Sequence, residues 1–236
     1  MTGASSTPLR LACIDADAPP LFSPMDEAGN REGYEPAVAR LLAEELGRPL
    51  EWAVVPWNDM LPSVQRHEVD GVLCGQGIIP SRLEQVAFTQ PYGVFHEGVL
   101  IRRGEGVSGP GDLVGKRVAA IADSANMALA ETFEGAEVVP FGGESDDVYA
   151  EMLAALRSRT VDAVVDDDVV FVPLGESDPT FELAFTVHTG NRWGIGVAKD
   201  RPEVLAELDG ALGRLIADGR LRKAWQEWLP TLEYPF

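Results

Sequence analysis

Short apolar runs recur along this chain, and stretches with apolar residues at helical spacing lie between most of them. That alternation permits few architectures. A strand followed by a helix and then another strand in the same direction makes a βαβ unit, and several such units make an α/β fold with a mostly parallel sheet. The first half predicts a strand over Leu9 to Ile14 and a helix over Pro36 to Leu46 that Gly47 closes. A strand over Leu50 to Val55 follows, then a helix that Asn58 or Asp59 caps and that runs to about Arg66. A third strand over Val69 to Cys74 ends in Gly75-Gln76-Gly77. After the Pro91-Tyr92-Gly93 turn the plan repeats, with strands predicted over Gly98 to Arg103, Arg117 to Ile121 and Val161 to Val165. Helices are predicted over Ala125 to Phe133 and over Val148 to Arg157, the latter capped by Ser145 or Asp146. Glu137 to Pro140, Phe181 to Val187 and Ile195 to Ala198 read as extended, and Glu203 to Asp218 and Arg220 to Trp228 read as closing helices. The connection Asp15 to Gly33 is too long for a simple link, and loops of that size commonly carry function.

At 236 residues the chain suits one large or two small domains with a substantial core. Its net charge of −19 repels phosphate backbones and anionic headgroups, which argues against a nucleic-acid partner. A local cation can still hold an anion against that field, because over a few ångströms its own charge overrides the global one. No apolar run is long enough to span a membrane, and the N-terminus lacks the charged-then-apolar plan of a secretory leader. Two cysteines, Cys13 and Cys74, are too few for a disulfide framework and read as small apolar fillers with free thiols, a bridge between the two being the alternative. The histidines His67, His96 and His188 are scattered, so no metal site is expected. No nucleophile elbow, Walker loop or dinucleotide fingerprint is present, and no cofactor is implied.

In open α/β sheets ligands sit beyond the carboxyl ends of the strands. That rule selects Asp15-Ala16-Asp17, the Gly75 to Arg82 segment, Asp123-Ser124-Ala125-Asn126 and Asp166-Asp167-Asp168. Arg82 offers a planar fork of donors that stays charged at any working pH and matches a carboxylate; the alternative is a surface arginine paired with Glu84. Gly75 and Gly77 would let backbone N–H groups approach a ligand closely. One of Asp166, Asp167 and Asp168 can accept an ammonium group, or the three form a solvated turn or helix cap. Ser124 offers either an anion contact with the helix behind it or an ordinary N-cap. Trp57, Phe22 and Trp193 are each a ligand wall or a core residue. Asp17 and Glu35 are alternative acids near the first strand end.

Several segments, in order, resemble the extracellular solute-binding proteins of family 3, which serve polar amino-acid ABC transporters. They are Gly33-Tyr34-Glu35, Val69-Asp70-Gly71-Val72, Gly75 through Arg82, Val86-Ala87-Phe88-Thr89-Gln90-Pro91-Tyr92, Gly115-Lys116-Arg117-Val118, and Gly194-Ile195-Gly196-Val197 with Trp225. The resemblance implies the type II periplasmic-binding-protein fold: two α/β lobes, each a mostly parallel sheet flanked by helices, joined by a two-strand hinge. Lobe one would comprise residues 1–93 and 192–236, and lobe two residues 94–191. It places Arg82 on the residue that binds an α-carboxylate, Asp167 on the acid that receives an α-ammonium, and Ser124 with Ala125 on a hydroxyl-bearing pair that supports the carboxylate. Three positions depart from the pattern: Gly77 replaces a hydroxyl residue, Ala125 a threonine, and Ala18 an aromatic lid. Those changes vacate space around the ligand, with Trp57 or Phe22 left to supply a wall.

The resemblance therefore implies a non-enzymatic monomer that binds a small carboxylate solute, an amino acid or a derivative, between two lobes that close on it. It also implies an ABC permease as partner and an extracytoplasmic location, although the missing leader leaves a cytoplasmic one open. Two rivals share the scaffold. One is a dehydratase of a small cyclic carboxylate, with Glu97 or one of Asp166–Asp168 as general acid. The other is a ligand-sensing domain without a transporter.

Overall fold

The computed structural model describes residues 7–142 and 147–236. The chain divides into two compact units, Met1–Val94 with Arg192–Phe236, and Phe95–Asn191. Each unit contains a five-stranded sheet. Elements are numbered in chain order.

In the first unit, β1 (Leu9–Cys13) pairs parallel with β2 (Leu50–Val54), Leu9 opposite Leu50, and parallel with β3 (Gly71–Val72), Leu11 opposite Gly71. The strand β10 (Gly196–Val197) returns antiparallel between β3 and β4 (Ala87–Phe88), giving the order β2-β1-β3-β10-β4. The sheet is thus mixed: parallel where βα units build it, antiparallel where the chain comes back.

Helix α1 (Tyr34–Leu46) starts earlier than its apolar periodicity alone predicts, because Gly33 makes the entry possible. Gly33 has φ 122°, and a Cβ there would fall 2.5 Å from the Leu21 carbonyl oxygen. The helix ends at Gly47, whose left-handed φ of 63° returns its N–H to the last carbonyls. It buries Val38, Ala39 and Leu42 and packs on α7 (Pro202–Ala217) and α8 (Arg220–Trp228). Between β2 and β3, α2 (Met60–Gln65) turns the chain, and the short α3 (Pro80–Leu83) follows β3.

The second sheet has the order β7-β6-β8-β5-β9. Its strands are β5 (Gly93–Arg102), β6 (Arg117–Ile121), β7 (Glu137–Phe141), β8 (Ala163–Asp167) and β9 (Phe181–Trp193). The pairs β6–β7 and β6–β8 are parallel, and β5 is antiparallel to β8 with Glu97 opposite Asp167 and Gly98 opposite Asp166. Val99, Ile101, Val118, Ala120, Ala163 and Val165 form the core with Met127 and Phe133. The helices here are α4 (Ala125–Ala130), α5 (Val148–Arg157) and α6 (Asp168–Ser177). The predicted caps Ser145 and Asp146 lie outside the described residues; Asp147 caps α5 by accepting the Ala150 N–H at 2.9 Å.

The sequence gives no warning of α6. The run Val169-Val170-Phe171-Val172 favours a strand, and Pro173 sits inside the helix. Burial of Val169, Val170 and Phe171 outweighs that local preference. The predicted Val69–Cys74 strand pairs only at Gly71–Val72, whereas β5 and β9 are longer than their apolar runs.

Candidate functional site

In the first unit, the segment between β3 and α3 is held by the 192–194 stretch of the chain. Ile78 N–H donates to the Arg192 carbonyl at 2.8 Å, Gly194 N–H donates to the Gln76 carbonyl at 3.1 Å, and Gly77 bridges Trp193. Pro80 opens α3 at the position where a missing N–H costs nothing. Arg82 follows on that short helix. Its side chain is buried, with 4% of its surface exposed, so the surface-arginine alternative does not hold. Nη1 donates to the Gly77 carbonyl at 3.3 Å, and the guanidinium lies over the half-buried Trp57 ring, 5.4 Å from its centroid. Trp57 is therefore a platform for the arginine.

Gly75 does something other than predicted. Its φ of 55° turns its N–H onto the carboxylate of Glu35, 2.6 Å away, so that donor is engaged within the unit. The same Oε1 also accepts the Tyr92 hydroxyl, while the Tyr34 hydroxyl donates to the Tyr92 carbonyl. Glu35 is fully buried, and that desolvation lifts its carboxyl to about 7 against the donors and the nearby Arg31. Arg31 is buried too: it donates to the carbonyls of Ile14 at 2.8 Å and Ser23 at 2.9 Å and lies against the rings of Phe22 and Trp52. Arg31 thus ties the long Asp15–Gly33 loop to the end of β1. Phe22 is buried against that arginine, and Ala18 bridges Phe22 within a tight turn of the loop. Asp17 is exposed. The Glu35–Tyr92–Gly75 and Arg31 networks escaped the sequence reading; Gly33-Tyr34-Glu35 was the only hint, and nothing in it indicates a partner so distant in the chain.

Trp193 is core, wholly buried and stacked on Tyr92 with ring centroids 6.1 Å apart. The thiols of Cys13 and Cys74 are free and buried; desolvation pushes Cys13 up to about 12 and Cys74 well above the ordinary thiol value. Both are inert fillers at their strand ends.

In the second unit, Ser124 accepts the Met127 N–H at 3.0 Å and donates to the Ile121 carbonyl at 2.6 Å. Its hydroxyl is spent on capping α4, the plainer of the two expectations. Ala125 follows, buried, as the first residue of α4. Asp166, Asp167 and Asp168 are buried, at 8%, 5% and 8% exposure, so the solvated-turn alternative fails. Asp167 occupies the N-cap position of α6 without a side-chain cap bond. The Asn126 amide donates to one oxygen each of Asp166 and Asp167, both at 3.2 Å. Asp168 accepts the His96 N–H at 2.9 Å. Burial raises the carboxyls of Asp166, to about 7, and of Asp168; Glu97 is raised by burial against donors from Thr189 and Asn191. The structure thus gathers acceptors at the end of β8 and a buried cation at α3.

Among the described residues, no group of three or more His, Cys, Asp and Glu side chains is placed to hold a metal ion, and no helix is long and apolar enough to cross a membrane.

The sequence profile described as bacterial extracellular solute-binding proteins, family 3, matches residues 11–231. An ABC transporter arginine-binding protein of Escherichia coli (strain K12) is 26% identical over 217 residues, covering 89% of this chain and 87% of that one. A solved ancestral arginine-binding protein bound to glutamine is 26% identical with a TM-score of 0.84, over 95% of this chain and 98% of that one. A solved ancestral amino acid-binding protein, described as a precursor of cyclohexadienyl dehydratase, is 25% identical with a TM-score of 0.79, over 93% and 94% of the two chains.

Proposed function

Because this chain belongs to the bacterial extracellular solute-binding proteins of family 3, we propose that it binds an α-amino acid or a close derivative for uptake through an ABC permease. In this reading Arg82 holds the carboxylate and Asp167 receives the ammonium group. The protein acts as a monomer outside the cytoplasmic membrane.

The observation that carries the reading is the buried guanidinium of Arg82. A guanidinium held out of water beside an aromatic face has a planar, two-pronged set of donors that matches a carboxylate. Glu35 serves the site indirectly by holding the Gly75 turn that leads to Gly77 and Arg82. Ser124 contributes by fixing the start of α4, and Asp17, Phe22 and Ala125 shape the surroundings.

The dehydratase reading is favoured by the buried, raised carboxyl of Asp166. Glu97 is a weaker general acid, since Thr189 and Asn191 each donate to one of its oxygens. A thermal-shift screen with L-arginine, L-glutamine, L-histidine and small cyclic carboxylic acids, with product analysis of the cyclic acids after incubation, separates the two. A ligand present at a hundred times its dissociation constant adds about 2.7 kcal/mol of stability. Shifts with amino acids support binding. Conversion of a cyclic acid, or silence with every amino acid, contradicts it.

A further inference from the structure

We infer that Asp166 and Asn126 join Asp167 in receiving the solute's ammonium group, and that Asp166 loses a proton when that group arrives. The inference rests on the reading above, in which the second unit takes the cationic end of the solute.

Carboxylate and carboxamide oxygens gather at the end of β8. Asn126 Nδ2 has two protons and gives one to Oδ1 of Asp166 and one to Oδ1 of Asp167. The oxygen of the same carboxamide, Oδ1 of Asn126, is buried without a hydrogen-bond partner. A buried acceptor left unmet costs about 1–3 kcal/mol, so such atoms usually await a donor. An ammonium group brings three N–H donors, which matches Asp166, Asp167 and the Asn126 oxygen.

The surroundings of Asp166 favour its protonated form. Its hydrogen-bond partners are neutral: the Asn126 amide and the Asp167 N–H at 2.7 Å. The charge of Glu97 on β5 acts on it, and Asp167 on β8 and Asp168 at the start of α6 follow it in the chain. The imidazoles of His96 on β5 and His188 on β9 pack edge to face at 4.7 Å and act on Asp168, which also accepts the His96 backbone N–H. Burial and the Glu97 charge together favour the neutral acid, which titrates at about 7. An arriving ammonium reverses that balance. The Asp166 carboxyl ionises, its proton passes to solvent, and the charged group forms a hydrogen bond to the solute.

Isothermal titration of the wild-type protein with L-arginine and with L-glutamine tests this. The titrations are run at pH 6 and pH 8 in two buffers of unlike ionisation enthalpy. The expected result is close to one proton released per amino acid bound at pH 6, almost none at pH 8, and affinity roughly tenfold weaker at pH 6. Asp166→Asn, a neutral isostere, releases no proton and binds equally at both pH values. Asn126→Leu weakens binding at both pH values; unchanged affinity would remove Asn126 from the site. Binding without proton release in the wild type, or release that persists in D166N, overturns the inference and leaves the proposed function standing. Failure of both amino acids to bind overturns the proposed function, and this inference falls with it.

Discussion

Replacing Glu35 by Gln gives a sharp test of how the first unit is held together. Glu35 is fully buried, and its Oε1 accepts both the Gly75 N–H and the Tyr92 hydroxyl. A glutamine carbonyl can accept the same two donors without carrying charge. The carboxyl titrates near 4.5 in the unfolded chain and at about 7 in the fold. Between those values the folded protein binds more protons than the unfolded one, so stability falls as pH rises through the window. Each tenfold difference in proton affinity is worth about 1.4 kcal/mol, which makes the loss roughly 3 kcal/mol by pH 8. Asp166 loses stability in the same direction, but it does so in both proteins and cancels from the comparison. Denaturant unfolding of wild type and E35Q at pH 4.5 and pH 8, followed by tryptophan fluorescence, reads the effect. The stability difference should move toward the variant by about 3 kcal/mol between the two pH values. An equal difference at both pH values would refute the claim that burial holds this carboxyl neutral.

Other substitutions separate support from contact. Ser124→Ala should lower stability by about 1 kcal/mol through loss of the α4 cap, measured by urea unfolding, while amino-acid affinity changes little. Gly33→Ala puts a Cβ against the Leu21 carbonyl at a φ hostile to side chains, so it should cost more than about 1 kcal/mol and lower the melting temperature. Cys13 and Cys74 should resist an alkylating reagent at pH 8 in the native protein and react promptly in denaturant, as mass spectrometry would show.

Much of the fold was legible because it follows from local rules. Period-two and helical patterns placed β1, β2, β6, α1, α5, α7 and α8 close to where they lie, and Gly47 marked its helix end correctly. What escaped depends on contacts distant in sequence. Helix α6 forms against its own β-branched composition because the unit's core accepts Val169, Val170 and Phe171. The strand ends also pointed to the acids of β8 and to Arg82, since ligand positions in α/β sheets follow from topology. The same rule says nothing about which groups are already engaged. Gly75 looked like a ligand donor and turned out to serve Glu35, forty residues earlier. Ser124 looked like a contact and serves its own helix. Arg31 sat unremarked in a polar loop, and only the fold brings it onto the Ile14 carbonyl and between two aromatic rings.

The central claim is that Arg82 and Asp167 hold the two ends of one amino acid. Titration calorimetry of wild type, Arg82→Ala, Arg82→Lys and Asp167→Asn with L-arginine and L-glutamine tests it most directly. Removing one partner of a buried, hydrogen-bonded charge pair costs about 2–5 kcal/mol, so R82A and D167N should each weaken binding by at least about thirtyfold. R82K, which keeps charge without the two-pronged geometry, should fall between R82A and wild type. Wild-type affinity in R82A, with its fold intact by circular dichroism, would contradict the account.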